Sequence, residues 1–202
     1  MKYVKQIPKT DFTLSNALQI VGWKRIKEPK NVLIATLISI PILLVNAFLT
    51  GGLFYILFPQ VKELFRITSF SFTISILDIV VYCTASVVVL TVHEFFHAIW
   101  IPHFIQSDKT VWGITLLGGF VATTEKLSKA RFIVISLFPF FALSILLPVI
   151  LSLFNLYHPL FLFICILNAM GSCVDILNLI LIAFQVPRKA AIINNGFETY
   201  YK

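Results

Sequence analysis

Charged residues are scarce in this sequence, and their scarcity excludes an ordinary water-facing globule. Asp, Glu, Lys and Arg together make up 12% of the 202 residues, whereas 58% of the residues are apolar. Domains that fold in water carry about 25% charged residues. Residues 31–61 and 132–174 contain no Asp, Glu, Lys or Arg at all. The composition therefore favours a membrane protein over a soluble one.

Cysteine is also rare, and its positions exclude a disulfide framework. The three cysteines, Cys83, Cys165 and Cys173, all lie inside apolar runs. None of them stands in a polar loop, where the disulfides of a small secreted domain are expected. Nothing in the cysteine pattern calls for an oxidising compartment.

Acidic residues are outnumbered by basic ones, nine against sixteen, which gives a net charge of +7. The basic residues stand beside the apolar runs, where the positive-inside bias of membrane proteins accounts for them. We therefore expect the lipid bilayer, and not nucleic acid, as the partner of this charge. The first 30 residues contain seven Lys or Arg and no continuous apolar core. We expect no cleaved signal peptide there and an N-terminus in the cytosol.

The apolar runs are long enough for four membrane spans, since one spanning helix needs about 20 mostly apolar residues. The sequence predicts an all-α integral membrane protein with about four transmembrane helices and a short cytosolic β-hairpin between spans two and three. We place the spans near residues 32–58, 70–101, 132–154 and 160–186. The predicted domains are a basic arm at 1–30, a membrane domain at 31–187 and a cytosolic tail at 188–202.

The basic residues are distributed unevenly among the segments that join the spans. Fourteen of them stand in the N-terminal arm, the loop 102–131 and the C-terminal tail, whereas the two other loops hold only Lys62 and Arg66. Cytoplasmic segments of membrane proteins carry the excess of Lys and Arg. We therefore expect both termini and the central loop in the cytoplasm, with His93 near the cytosolic end of span two.

Two segments outside the spans have periodic patterns of their own. Residues 110–124 are rich in β-branched and aromatic side chains around Gly118-Gly119. This pattern predicts the β-hairpin, with the glycine pair as its two-residue turn. In the arm, residues 13–23 place apolar side chains at i, i+3, i+4 and i+7, as on one face of a helix. That helix is either an interfacial helix on the membrane or a cytosolic cap.

Span two ends in His93-Glu94-Phe95-Phe96-His97, which matches the H-E-x-x-H motif. Imidazoles at i and i+4 project from one helix face and can bind a single zinc ion. Glu94, one residue further on, can reach the water that the metal activates and act as the general base of a hydrolase. Such polar residues inside an apolar span usually mark a functional site. The alternative is a polar helix end that extends to the interface.

A zinc hydrolase usually has three protein ligands and a water, so a third ligand is needed. Asp175 is the strongest candidate, because its depth in span four matches that of His93 in span two. Asp175 also shares a stripe of small and polar residues with Asn168 and Gly171, as expected of a helix interface. For Asn168 itself, a hydrogen bond in helix packing is the preferred interpretation.

The rival third ligands are weaker. His103 stands six residues after His97, as in the longer metzincin motif, but Trp100 replaces the glycine of that motif. Asp78 lies about 22 Å from His93 along its own helix, too far to bind the same ion. The remaining candidates are Asp108, Glu125 and the cysteines.

With the H-E-x-x-H motif at residues 93–97 and the segment 171–176, the chain resembles site-2-protease-like membrane metalloproteases. It resembles more closely a bacterial membrane family of zincin peptidases. The resemblance implies that the two histidines and Asp175 bind zinc, that Glu94 is the general base, and that the protein resides in a bacterial cell membrane. Site-2 proteases place their aspartate in an Asp-Gly motif, whereas this chain has Asp175-Ile176.

Together these observations predict a zinc-dependent, membrane-embedded endopeptidase that cleaves membrane or membrane-associated proteins. Zn2+ is expected on His93, His97 and Asp175, with Glu94 as the catalytic residue. The predicted hairpin would hold an extended substrate by strand addition, or else would be a simple connector. The alternative function is a non-catalytic metal-binding scaffold or partner protein. A transporter is the weaker third hypothesis, because no inverted repeat is visible.

Overall fold

Helices dominate the computed structural model, which describes residues 1–64, 66, 73–115 and 118–202. A π-helical turn, Phe141–Leu146, joins two of the helices. The helices are α1 (Phe12–Ile20), α2 (Val32–Ile38), α3 (Ile40–Leu57), α4 (Pro59–Leu64), α5 (Ile76–Ala98), α6 (Lys129–Phe140), α7 (Leu147–Leu153), α8 (Pro159–Gly171) and α9 (Cys173–Gln185).

In the described part of the chain, four helical segments are long and apolar enough to cross a membrane, which agrees with the predicted number. These segments are Ile40–Leu57, Ile76–Ala98, Lys129–Leu153 and Pro159–Gln185. The first apolar run, predicted as one span, divides at Ser39, whose N–H donates to Ala35 O at 3.0 Å. Pro41 follows in the first turn of α3, where its missing N–H costs no helical hydrogen bond. Residues 70–72 of predicted span two lie outside the described residues.

The chain is mostly helical, but it is not purely all-α as predicted, because the predicted hairpin is not the only place with strands. Among the described residues they form two sheets, with the orders β1-β3-β4 and β2-β7-β6-β5. The strands are β1 (Lys2–Tyr3), β2 (Lys24–Arg25), β3 (Thr110–Thr115), β4 (Gly118–Thr123), β5 (Leu127–Ser128), β6 (Ala191–Asn195) and β7 (Glu198–Tyr201). The two strands in the predicted arm, β1 and β2, have only two residues each, too few for a two-residue period, and they pair with β3 and β7, which are distant in sequence.

The β-hairpin predicted within residues 110–124 is confirmed, but its predicted turn is wrong. Strands β3 and β4 are antiparallel, with Thr115 paired to Gly118 and Ile114 paired to Gly119. Both glycines therefore belong to β4. The connecting residues 116–117 lie outside the described residues.

The described chain divides into two compact units, of which unit 1 comprises Met1–Ser39, Glu94–Phe138 and Val174–Lys202. Unit 1 contains both sheets. The hairpin of β6 and β7 turns at Gly196, whose φ of +61° suits glycine. The apolar core of unit 1 joins the arm, α6, α9 and the second sheet through Ile26, Leu127, Phe132, Ile182, Val186, Ala190 and Ile192.

Unit 2 comprises Ile40–His93 and Pro139–Cys173. In it α3 packs against α8, and Asn46 Nδ2 donates a hydrogen bond to Ala169 O at 3.0 Å. This bond satisfies a buried amide in an otherwise apolar helix contact. The core of unit 2 is Phe54, Phe58, Val61, Leu151 and Cys165.

Candidate metal centre

Helix α5 carries the H-E-x-x-H residues in its last turns. Its N-terminus is fixed by Ser75 and Asp78, where Ser75 N–H donates to Asp78 Oδ2 at 2.9 Å and Asp78 N–H donates to Ser75 Oγ at 3.1 Å. This reciprocal pair is a capping box. Asp78, a rival metal ligand in the sequence, therefore has a structural role at the opposite end of the helix.

His93, His97 and Asp175 each offer one ligand atom, and these atoms lie within 4.8 Å of one another. His97 Nε2 and Asp175 Oδ2 lie 3.4 Å apart. Donors about 2.0–2.2 Å from a tetrahedral zinc ion are about 3.4 Å apart, so this pair already has the required spacing. Two imidazoles and a carboxylate also form a usual donor set of catalytic zinc. The residues present therefore fit the ion.

The His93 imidazole is held by Asn168, and the network around Asn168 fixes the direction of every hydrogen bond. Asn168 Nδ2 donates to Pro139 O at 3.1 Å and to Ser144 Oγ at 2.8 Å. Ser144 Oγ in turn donates to Cys165 O at 2.9 Å. Both amide hydrogens are thus used, and Asn168 Oδ1 must accept from His93 Nδ1 at 2.9 Å. His93 therefore carries its lone pair on Nε2, the form that binds zinc.

The His97 imidazole is held by the backbone carbonyl of Ile135. This carbonyl is available because Pro139, four residues further along the helix, has no N–H to donate to it. His97 Nδ1 lies 2.7 Å from Ile135 O, which can only accept, so Nδ1 donates. In a regular helix the N–H of residue 139 would bond this same carbonyl, but residue 139 is proline and has no N–H. His97, like His93, is thereby oriented with Nε2 as its metal-binding atom.

The other ligands that the sequence offers do not belong to the candidate centre in the described part of the chain. Among the described residues, one group has converging ligand atoms, and it consists of His93, His97 and Asp175. Lys2 pairs with Asp108 at 2.9 Å, and Glu125 Oε1 accepts from Ser107 Oγ at 2.8 Å. His103 lies in a turn after α5, with a φ of +52°. Cys165 and Cys173 are buried, and Cys83 is exposed.

Glu94 lies against strand β4 at a position where only glycine fits. A Cβ atom on Gly119 would lie 2.6 Å from Glu94 Cγ, a distance at which one of the two must move. The backbone of Gly119 is not left-handed, so the preference for glycine at this position comes from the steric clash with Glu94. Gly119, which the sequence suggested for a turn, instead allows the hairpin to approach the predicted general base.

A cavity of about 510 Å³ opens beside His97 and Asp175, and all of its lining residues belong to unit 1. One wall is β4, from Phe120 onwards, and another is the hairpin of β6 and β7 with Glu28 from the arm. Binding sites for small ligands measure about 300–1,000 Å³. The cavity therefore has room for several residues of an extended peptide beside the candidate centre.

Sequence reasoning missed three parts of this site. The sequence predicts only a helix-packing role for Asn168, yet this residue also orients His93. Its place on the same helix stripe as Asp175 is the one signal that points toward the site. Pro139 leaves the carbonyl of Ile135 without a helical N–H donor. The value of this carbonyl for His97 could not be predicted until the structure placed His97 beside it. Glu28 lies in the basic arm, and no local pattern marks it as part of a cavity.

Comparison with known proteins gives one finding. A family model with the description "Putative zincin peptidase" matches residues 86–191, just over half of the chain, and the match includes all four predicted site residues. No curated protein and no solved structure matches the chain.

Proposed function

The chain belongs to the zincin peptidase family whose model it matches, and from this premise we propose that it is a zinc-dependent membrane endopeptidase. The proposed substrates are membrane or membrane-associated proteins. The observation that carries the proposal is the convergence of His93, His97 and Asp175, with both imidazoles held through Nδ1. Four helices with the length and composition of membrane spans support a membrane location.

In this proposal His93, His97 and Asp175 hold zinc, and the bound ion supplies the Lewis acidity that activates water and polarises the scissile carbonyl. Glu94 takes the proton from the attacking water and delivers it to the departing amine nitrogen. The hydrogen bonds from the imidazoles to Asn168 and Ile135 keep the two rings from rotating during this transfer.

Strand β4 is the proposed support for the substrate backbone. It lies at the end of the order β1-β3-β4, so it has an edge to which an extended peptide can add. Residues 120–124 line the cavity, and the preceding Gly119 lies against Glu94. A peptide paired with β4 would therefore pass beside the proposed base.

The test is to replace Glu94 by Gln in the full chain and to measure zinc content and peptide cleavage in detergent. We expect bound zinc to be unchanged and cleavage to fall by about 10²–10⁴-fold, because the amide cannot accept the proton. In contrast, Asp175→Ala should lower the zinc content. Glu63→Gln is the matched control, since Glu63 is exposed and pairs with Arg66.

If the Glu94→Gln variant cleaved peptides at the rate of the wild-type protein, the assignment of Glu94 as the base would be refuted. A wild-type protein that binds zinc tightly and cleaves no peptide would instead indicate the non-catalytic metal-binding scaffold.

A further inference from the structure

Glu28 is held in the cavity wall by strand β7. Ile26 N–H donates to Thr199 O at 3.0 Å, and Thr199 N–H donates back to Glu28 Oε1 at 2.7 Å. These two bonds extend the pairing of β2 with β7 beyond Arg25. The carboxylate is therefore fixed in the same cavity that His97 and Asp175 line.

Burial raises the pKa of Glu28 to about 6, against the opposing effect of the Thr199 hydrogen bonds. Glu28 is thus charged at neutral pH. Arg25 acts on this charge from a distance, but its guanidinium is bound to Glu198 at 2.5 Å. Glu28 is half-buried, and a carboxylate that is partly withdrawn from water is stabilised by a cation, which a ligand in the cavity would supply.

Asn194 provides a second acceptor in the same wall. It pairs across the hairpin with Thr199, the residue that holds Glu28. Its Oδ1 atom is buried and has no hydrogen-bond partner in the described part of the chain. Asn194 also lines the cavity. A buried acceptor without a donor costs free energy, which a ligand with N–H groups would recover.

We propose that Glu28 and Asn194 form a subsite that binds a cationic N–H donor of the substrate. Two sources have this chemistry: the side chain of a lysine or arginine, and a free α-amino terminus. The inference rests on the proposed peptidase function, and it adds a specificity determinant to that function. Of the other ionisable groups that line the cavity, Asp108 and Lys109 are mostly exposed and already paired with Lys2 and Glu125.

The experiment measures peptide binding to the full chain carrying Glu94→Gln, in which turnover is expected to be about 10²–10⁴-fold slower. Three peptides with a fluorophore at the C-terminus are compared by fluorescence polarisation in detergent. The first is N-acetylated with a central lysine, the second is N-acetylated with norleucine at that position, and the third has norleucine and a free amino terminus. Norleucine keeps the carbon chain of lysine without its ammonium group.

We expect at least one cationic peptide to bind about tenfold or more tightly than the acetylated norleucine peptide, as for a hydrogen bond to a charged group. A preference for the lysine peptide indicates the side chain, and a preference for the free amine indicates the terminus. Glu28→Gln should reduce either preference to less than twofold, while its side-chain oxygen still accepts from Thr199 N–H. Asn194→Ala should reduce the preference as well. Glu63→Gln is the control, since neither Glu63 nor its partner Arg66 lines the cavity.

Equal binding of all three peptides would overturn the subsite, as would a preference that survives in a folded Glu28→Gln variant. The two proposals fail separately. If the wild-type protein cleaves peptides without regard to charge, only the subsite is wrong. If it cleaves nothing while the binding preference holds, only the proposed function is wrong.

Discussion

Both imidazoles of the candidate centre are oriented by groups outside the H-E-x-x-H motif. His93 donates to a side-chain amide, whereas His97 donates to the main-chain carbonyl of Ile135. Partners of this kind fix the tautomer and the ring angle, and their loss typically lowers metal affinity by about 10–100-fold. The carbonyl of Ile135 can serve because Pro139 does not compete for it.

Replacing Pro139 by Ala should therefore weaken zinc binding while making the helix itself more stable. The new N–H would compete with His97 for Ile135 O, and the helix interior would lose a residue that costs about 3 kcal/mol relative to Ala. We expect zinc affinity to fall by about 10–100-fold, measured by competition with a chromophoric chelator. The melting temperature of the zinc-free protein should not fall.

Pro59→Ala is the matched control, because Pro59 begins α4, where an N–H would have no helical acceptor. Unchanged zinc affinity in Pro139→Ala would mean that the hydrogen bond to Ile135 does not control the orientation of His97.

At the scale of elements, apolar length and helical spacing predict much of the fold, and tertiary contacts decide the rest. The four helical segments could be predicted because a span of that length has no charged residue or very few. The i, i+4 spacing of His93 and His97 is local, and the depth of Asp175 followed from counting residues. Glu28 could not be assigned, since its partner comes from a distant segment. The stripe that Asn168 shares with Asp175 marks a helix interface but does not identify His93 as its partner. Strands β2 and β5, of two residues each, carry no periodic signal.

Strand β4 gives the prediction that belongs to this scale. Gly119→Ala adds a Cβ atom 2.6 Å from Glu94 Cγ, so the base or the strand must move. A displacement of about 1 Å in a catalytic arrangement costs about 10²-fold in rate, and we expect a loss of that order in peptide cleavage. Zinc content should be unchanged, because no ligand is touched.

Gly52→Ala serves as the control, since a Cβ atom there has no neighbour within 4 Å. Full activity of Gly119→Ala would argue against any role for β4 beside the proposed base.

At the scale of the whole molecule, the basic residues and the β-sheets lie in the same unit. Unit 1 contains both sheets and fourteen of the sixteen basic residues, whereas unit 2 contains Lys62 and Arg66. The strands thus lie in the basic segments, which the positive-inside rule predicts to be cytoplasmic. Strands with free edges are excluded from lipid, which agrees with a position of these segments outside the bilayer, and their charge predicts the cytoplasmic side.

The orientation that follows can be measured with reporter fusions in a bacterial host. If the basic segments are cytoplasmic, green fluorescent protein at the C-terminus should fluoresce, and alkaline phosphatase placed after Asn155 should be active. The phosphatase needs disulfides, which form outside the cytoplasm. Exchanging the two reporters is the control and should silence both. An active phosphatase at the C-terminus would reverse the topology. With the expected result, α5 runs toward the cytoplasm, so His93 and His97 would meet substrates near the cytoplasmic face.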